Sequence, residues 1–134
     1  MPIRRLDHIN IRTARLGESI DFYRDVIGMV VRPPPMAADL AMAAYCHDQD
    51  GVPIIHLVAT DNEVRGAEPL RGAAQRGMID HFALDCEGLP ADYVARLQAR
   101  GLAFEAMDVP MIDRHLIFVR DPNGILVELG FPLE

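Results

Sequence analysis

Four residues with metal-binding side chains occur at matching places in the two halves of the sequence. The motif DHINI, which contains His8, returns as DHFAL, which contains His81, at an offset of 81 − 8 = 73 positions. Later in each half an apolar segment has one ligand-capable residue at its centre. These residues are His56 and Glu128, and their offset is 128 − 56 = 72 positions. The repeat predicts one site built from two related halves.

Three imidazoles and one carboxylate suit a borderline divalent ion such as Zn, Ni, Co, Mn or Fe, whereas Ca and Mg prefer oxygen ligands. A single histidine on a strand is more often structural than metal-binding. Glu128 strengthens the metal interpretation, because an unpaired carboxylate in an apolar strand costs several kcal/mol of desolvation that a cation offsets. The pattern therefore predicts one divalent metal per site.

The first half reads as one βαβββ module. Residues 5–13 alternate with the period of a strand, and residues 16–26 have the three-and-four apolar spacing of a helix that Gly28 ends. Residues 29–32 form a short strand. Two further strands, residues 40–47 and 52–60, are joined by the turn signal Asp48-Gln49-Asp50-Gly51.

The second half repeats this order after a polar, glycine-containing linker at about residues 61–77. The turn Asp121-Pro122-Asn123-Gly124 joins its last two strands. The predicted elements are a strand at 78–86, a helix at 90–100, and strands at 104–109, 115–120 and 125–131.

These elements predict a single α+β domain over residues 1–134, with module one at about 1–60 and module two at about 78–134. We expect a curved, cleft-shaped mixed sheet with the helices on its convex side. Strand alternation then turns His8, His81 and Glu128 toward the concave face. The alternation argument is weaker for His56, because apolar residues share its face.

Charge and composition disfavour several classes of function. The net charge of −7 disfavours nucleic-acid binding, and no apolar run is long enough to predict a membrane span. The two cysteines, Cys46 and Cys86, have no zinc-type spacing and predict neither ligands nor a disulfide framework. We therefore expect a cytoplasmic protein.

In these motifs the chain resembles the vicinal oxygen chelate superfamily, which includes glyoxalases, bleomycin-resistance proteins and extradiol dioxygenases. The likeness rests on the DHI motif at His8, the helix SIDFYRDVIGM that begins at Ser19, the Asp80-His81 strand start, and the segment FVRDPNGILVEL that ends at Leu129. It covers essentially the whole chain.

The resemblance implies that His8, His56, His81 and Glu128 are the metal ligands. It also implies a homodimer, in which sites at the subunit interface combine the first pair of one subunit with the second pair of the other. Arg12 matches an arginine that holds a substrate carboxylate in lactoylglutathione lyases. The predicted catalytic residues are Glu128, as proton carrier, and His56, which replaces a second carboxylate of those enzymes.

The function predicted first is a glyoxalase-like lyase or isomerase that acts on a small substrate with vicinal oxygens through a metal-stabilised enediolate. Arg12 would hold a substrate anion, and Tyr45 or His115 would line the pocket. A ring-cleaving dioxygenase is one alternative, although Phe118 stands where those enzymes carry an acid-base tyrosine. The other alternative is a drug-binding resistance protein without catalysis, which the scarcity of aromatic residues disfavours.

Overall fold

A computed structural model describes residues 5, 6, 8–35, 37–60 and 81–134. The predicted linker at 61–77 and the first three residues of the strand predicted at 78–86 lie outside the described residues. The chain divides into two compact units, Met1–Leu70 and Arg71–Glu134. None of the helices in the described ranges is long and apolar enough to cross a membrane.

The predicted α+β fold with two βαβββ modules is confirmed. Module one consists of β1 (Ile9–Thr13), α1 (Leu16–Asp21) with a π-helical continuation (Phe22–Ile27), β2 (Val30–Arg32), β3 (Ala43–His47) and β4 (Pro53–Ala59). Module two consists of β5 (His81–Asp85), α2 (Pro90–Ala99), β6 (Phe104–Val109), a 3-10 turn (Pro110–Ile112), β7 (Arg114–Arg120) and β8 (Leu126–Pro132).

Each module forms a four-stranded mixed sheet with the same strand order. The orders are β1-β4-β3-β2 and β5-β8-β7-β6. In both sheets the first two strands of the order are parallel to each other, and the other neighbouring strands are antiparallel. The strand that carries His56 and the strand that carries Glu128 are therefore central and equivalent.

One face of each sheet is buried beneath the helix of its module. In module one, Tyr23 of the helix and Leu57 of β4 are fully buried. In module two, Tyr93 of α2 packs edge-on against Phe131 of β8, with ring centroids 5.2 Å apart. Full burial of one such side chain contributes about 1.5–3 kcal/mol. Because neighbouring residues of a strand point to opposite faces, this packing fixes which residues of β4 and β8 remain on the other face.

The first helix departs from the sequence prediction in form. Residues 16–26 were expected to be α-helical, but from Phe22 onward the chain widens into a π-helix. The backbone N–H groups of Gly28 and Met29 both donate to the carbonyl oxygen of Tyr23, and Gly28 has a φ of 93°. Glycine accepts this left-handed conformation at little cost, which explains why the helix ends there.

The two hairpin turns are built identically, at an offset of 121 − 48 = 73 residues. The Asp48 carboxylate accepts from the backbone N–H groups of residues 50 and 52, both at 2.9 Å. The Asp121 carboxylate accepts from those of residues 123 and 125, at 2.8 and 2.9 Å. The glycine of each turn has a positive φ, 78° at Gly51 and 81° at Gly124. The turns therefore belong to the repeat as fully as the metal-ligand candidates do.

A β-bulge accounts for the difference between the offsets of 73 and 72. The register between β3 and β4 shifts between Cys46 and His47, so that Cys46 pairs with Ile55 whereas His47 pairs with Pro53. In module two the equivalent pairs are Val119 with Val127 and Arg120 with Leu126, without a shift. Module one thus contains one extra residue just before His56.

Replacing Asp121 with Ala is expected to lower the free energy of unfolding by about 1–3 kcal/mol, because two backbone N–H groups lose their acceptor. Asp121 is only 4% exposed. Urea unfolding of the variant measures the change. The matched control is Asp50→Ala, an exposed aspartate of the equivalent turn, for which a change within about 0.5 kcal/mol is expected. Equal losses in both variants would contradict the assigned role of the carboxylate.

Candidate functional site

Three aromatic rings form a column on the face of the module-one sheet that lies away from the helix. His56 of β4 pairs with Asn10 of β1 and with Tyr45 of β3, so these three side chains share one face. The His56 ring stacks on Tyr45 at a centroid distance of 3.7 Å and an interplanar angle of 7°. It also stacks on His8, at 3.8 Å and 14°. We call Tyr45, His56 and His8 the ring stack.

His56 is the central member of the ring stack, because two rings parallel to it at nearly the same distance must lie on its opposite faces. The residue is only 9% exposed. The structure settles the direction of His56, which the alternation argument left weaker: it shares a face with Tyr45, whereas its neighbour Leu57 is fully buried on the helix side. The structure therefore brings His8, His56 and Tyr45 together in one module.

Arg12 lies on the same face of β1 as Asn10, two residues further along the strand. Its side chain is exposed, and its Nη2 donates to the carbonyl oxygen of Thr60 at 2.8 Å. A guanidinium has five N–H donors in a planar fork. This hydrogen bond therefore orients the group and leaves donors that can bind a carboxylate.

In module two, His81 and Glu128 lie close together on the face away from the helix. His81 Nε2 is 4.0 Å from Glu128 Oε2, and the glutamate side chain is 19% exposed. Phe118 of β7 pairs directly with Glu128 of β8, so their side chains share a face. The Phe118 ring meets the His81 ring edge-on, with centroids 6.2 Å apart. A carboxylate, an imidazole and an apolar ring thus adjoin one another.

His115 lies on the opposite face of the module-two sheet from Glu128. It pairs with Phe131, a helix-side residue, and it is three residues from Phe118 along β7. Its Nδ1 is 2.6 Å from the Asp108 carboxylate. Because an odd separation along a strand reverses the face, His115 does not join the pocket side for which the sequence suggested it. We leave it out of the site.

The two cysteines have poorly reactive thiols. Burial raises the pKa of Cys46 to about 12. The pKa of Cys86 is raised to about 11, mainly by burial and also by the neighbouring Asp85 charge. Since the thiolate is the form that binds metal, both remain poor ligands at neutral pH.

A groove that the sequence analysis missed opens beside Phe118. Its volume is about 730 Å³, and its lining includes Glu105, Met107, Phe118 and Leu126. The alternation of β6 contains the signal, because Glu105 and Met107 pair with Phe118 and Leu116 and so share the face of Glu128. The sequence alone does not show which face of the sheet these two residues share, because that depends on the pairing of β6 with β7.

Comparison with known proteins places the chain in a family. The model of the Glyoxalase/Bleomycin resistance protein/Dioxygenase superfamily matches residues 5–129. The chain belongs to this superfamily. Comparison with curated protein sequences found no match.

Several solved structures of similar fold are named for superfamily activities. A lactoylglutathione lyase from Agrobacterium tumefaciens is 19% identical, with a TM-score of 0.68 and coverage of 98% of this chain and 96% of that one. A glyoxalase/dioxygenase from Nostoc punctiforme is 19% identical, with a TM-score of 0.72 and coverage of 99% and 94%. The fosfomycin resistance protein FosX from Listeria monocytogenes is 17% identical, with a TM-score of 0.68 and coverage of 96% and 93%. At these identities the likeness shows the fold alone.

Superfamily members commonly use a divalent metal, and the module-two pair fits such an ion. A nitrogen ligand about 2.0–2.1 Å and an oxygen ligand about 2.0–2.2 Å from one metal lie no more than about 4.3 Å apart. The 4.0 Å separation of His81 Nε2 and Glu128 Oε2 falls within this limit. Both side chains can therefore reach one ion through small rotations.

The ring stack fits a metal only after one ring rotates. Imidazole lone pairs lie in the ring plane, and the nearly parallel planes of His8 and His56 are separated by 3.8 Å, so one ion cannot lie in both. Across the described ranges no three histidine, cysteine or acidic side chains converge on a point. Breaking one stacked pair costs only about 0.5–1.5 kcal/mol, whereas structural zinc binding in small peptides contributes about 10–16 kcal/mol. The donor set therefore fits a metal if the ring of His8, the exposed member of the stack, rotates.

The ring stack can be tested without any metal. The Tyr45→Leu variant is expected to shift the carbon-bound proton signals of the His56 ring downfield in the NMR spectrum, because protons above an aromatic face are shielded. The matched Tyr45→Phe variant keeps a stacked ring and should leave these signals nearly unchanged, and the His115 signals serve as an internal control. Identical His56 signals in wild type and Tyr45→Leu would contradict the stack.

Proposed function

We propose that this protein is a metal-dependent lyase or isomerase of the glyoxalase type, acting on a small substrate with vicinal oxygens. The observation that carries the proposal is the approach of His81 Nε2 to within 4.0 Å of Glu128 Oε2 on the helix-free face of module two. His8 and His56 have the equivalent positions in module one. Superfamily membership supports the same chemistry.

The proposed metal ligands are His8 and His56 from one module and His81 and Glu128 from the other. Three neutral imidazoles and one carboxylate suit Zn, Ni, Co, Mn or Fe. In the proposed homodimer, the two pairs of one site come from different subunits, as the resemblance implies. We further propose a cytoplasmic location, with a small-molecule substrate as the principal partner.

When bound, the metal would act as a Lewis acid that makes the C–H bond beside a coordinated carbonyl more acidic. In the proposed reaction, Glu128 accepts the proton from that carbon and returns it to the neighbouring atom of the substrate. Phe118 supports this role because it pairs with Glu128 across the sheet, where its apolar ring would exclude water from one side of the carboxylate. Phe118 has no hydroxyl group that could compete for the proton.

Module one would bind and orient the substrate. Arg12, held at one nitrogen by the Thr60 carbonyl, has the remaining donors with which to bind an anionic group of the substrate. Tyr45 fixes the plane of the His56 ring by stacking on it at 3.7 Å. Orientation of this ring determines where its nitrogen lone pair points.

The dioxygenase alternative receives less support from these residues. An acid-base hydroxyl is required beside the ligand set, and Phe118 has none at the position opposite Glu128. The drug-binding alternative predicts ligand binding without turnover. Product analysis separates it from the proposed lyase or isomerase.

Replacing Glu128 with Gln is expected to abolish turnover and to weaken metal binding, because the amide can neither accept the proton nor contribute a negative charge. Loss of one general base typically costs about 10²–10⁴-fold in rate. Proton exchange at the carbon beside the carbonyl of hydroxyacetone, followed by NMR, measures the activity. Glu18→Gln, an exposed helix residue, is the control. A fully active, metal-replete Glu128→Gln protein would refute the mechanism.

Elemental analysis of gently purified protein is expected to find about one divalent transition metal per chain, lowered in the His56→Ala variant. The matched control is His47→Ala, which changes another histidine of the same sheet, one whose Nδ1 lies 3.3 Å from the Val30 carbonyl. Metal loss in both variants would point to damage of the sheet. Wild-type protein that takes up no added ion would overturn the ligand assignment.

A further inference from the structure

The groove beside Phe118 adjoins the proposed ligand pair of module two. We call this region, whose lining includes Glu105, Met107, Phe118, Arg120 and Leu126, the Phe118 groove. Phe118 connects it to the pair, since this ring lies edge-on to His81 and pairs across the sheet with Glu128. Leu126 pairs with His81 in the parallel ladder between β5 and β8. Phe118 and Leu126 of the groove therefore share a face with the ligand pair. Phe104 and Val119, which alternate to the other face, also contribute to its lining.

The chemistry of the groove is mainly apolar. Phenylalanine, methionine and leucine side chains line it, and Met107 is 43% exposed. Its charged residues are Glu105 and Arg120, which have opposite signs, and Arg120 donates to the Gly124 carbonyl at 2.9 Å. The lining thus has no net charge with which to attract an anionic tail.

The size of the groove exceeds what a methyl group requires. Pockets for small organic ligands typically measure about 300–1,000 Å³, and this groove measures about 730 Å³. A flat ring or a branched alkyl group would replace water along Phe118 and Met107. Methionine adapts readily to such groups because its side chain is unbranched and polarizable.

We propose that the Phe118 groove binds an uncharged apolar group that is bonded to a carbon bearing one of the vicinal oxygens of the substrate. The preferred substrates then carry an aryl or branched alkyl group in place of a methyl group. This inference rests on the proposed function, because the oxygens are taken to bind at the His81–Glu128 pair. Phe118 and Met107 become the residues that determine specificity.

Two hydroxamates of different size test the inference. Acetohydroxamate and benzohydroxamate present the same pair of adjacent oxygens to a metal but differ in the group beside them. Their dissociation constants are measured by calorimetry on the zinc-loaded protein. Benzohydroxamate is expected to bind about tenfold more tightly, which corresponds to burial of roughly half of a phenyl ring.

Met107→Asp is expected to reduce this preference to threefold or less, since it places a charge in the groove. The matched control is Met111→Asp, the same change at a methionine that is 96% exposed and outside the groove, and it should retain the tenfold preference. Phe118→Ala provides a second groove variant. Circular dichroism establishes that each variant is folded.

The outcomes separate the inference from the proposed function. Equal affinity of the two hydroxamates for the wild type would overturn the groove assignment while leaving vicinal-oxygen binding intact. A preference that survives both Met107→Asp and Phe118→Ala would also overturn it, because the selectivity would then arise elsewhere. Failure of both hydroxamates to bind the zinc-loaded protein would overturn the proposed function and the inference together.

Discussion

The burial of one face of each sheet beneath a helix is the constraint on which the rest of the structure depends. A strand has only two faces, and once Leu57 and Leu129 are committed to the core, His56 and Glu128 must lie on the other side. A slip of one residue in either register would expose the core and bury the ligand candidates. The apolar packing of the helices therefore positions polar groups that the helices never contact.

The repeat was the part of the fold most accessible from the sequence. Alternating apolar residues in the first and last strands of each module, together with the two Asp-containing turns, determine strands and connections through local backbone preferences. The strand at 104–109 was predicted with its observed bounds. By contrast, the strand predicted at 40–47 begins only at Ala43, because the apolar composition of residues 40–42 contains no information about which residues find a hydrogen-bonded partner.

Irregular local backbone geometry and strand register were not accessible from the sequence. The π-helical turn, the bulge before His56 and the 3-10 turn that precedes β7 each change spacing by local geometry that apolar periodicity does not encode. His115 shows the consequence, since its placement depends on the register of β7 and was not deduced from a pattern of residue types. The ring stack likewise required the β3–β4 register, which brings Tyr45 beside His56.

The same offset that relates the turns also relates Tyr45 to Phe118, since 118 − 45 = 73. Each aromatic ring lies beside the second ligand candidate of its module. Both modules therefore have an aromatic residue at this place, but the ligand candidate beside it is His56 in module one and Glu128 in module two. Beside His56, the aromatic ring stacks on an imidazole and fixes its plane. Beside Glu128, a phenylalanine offers no hydroxyl.

This difference supports separate roles for the two modules in the proposed function. A tyrosine at position 118 would donate a hydrogen bond to the Glu128 carboxylate and compete with a substrate proton for the same oxygen. In the proposed mechanism, phenylalanine leaves that oxygen to the substrate, and it also forms one wall of an apolar groove. Module one, which holds its ring in place and contributes Arg12, is therefore suited to orienting a substrate. The proposed proton transfer and the proposed recognition of the apolar group would belong to module two.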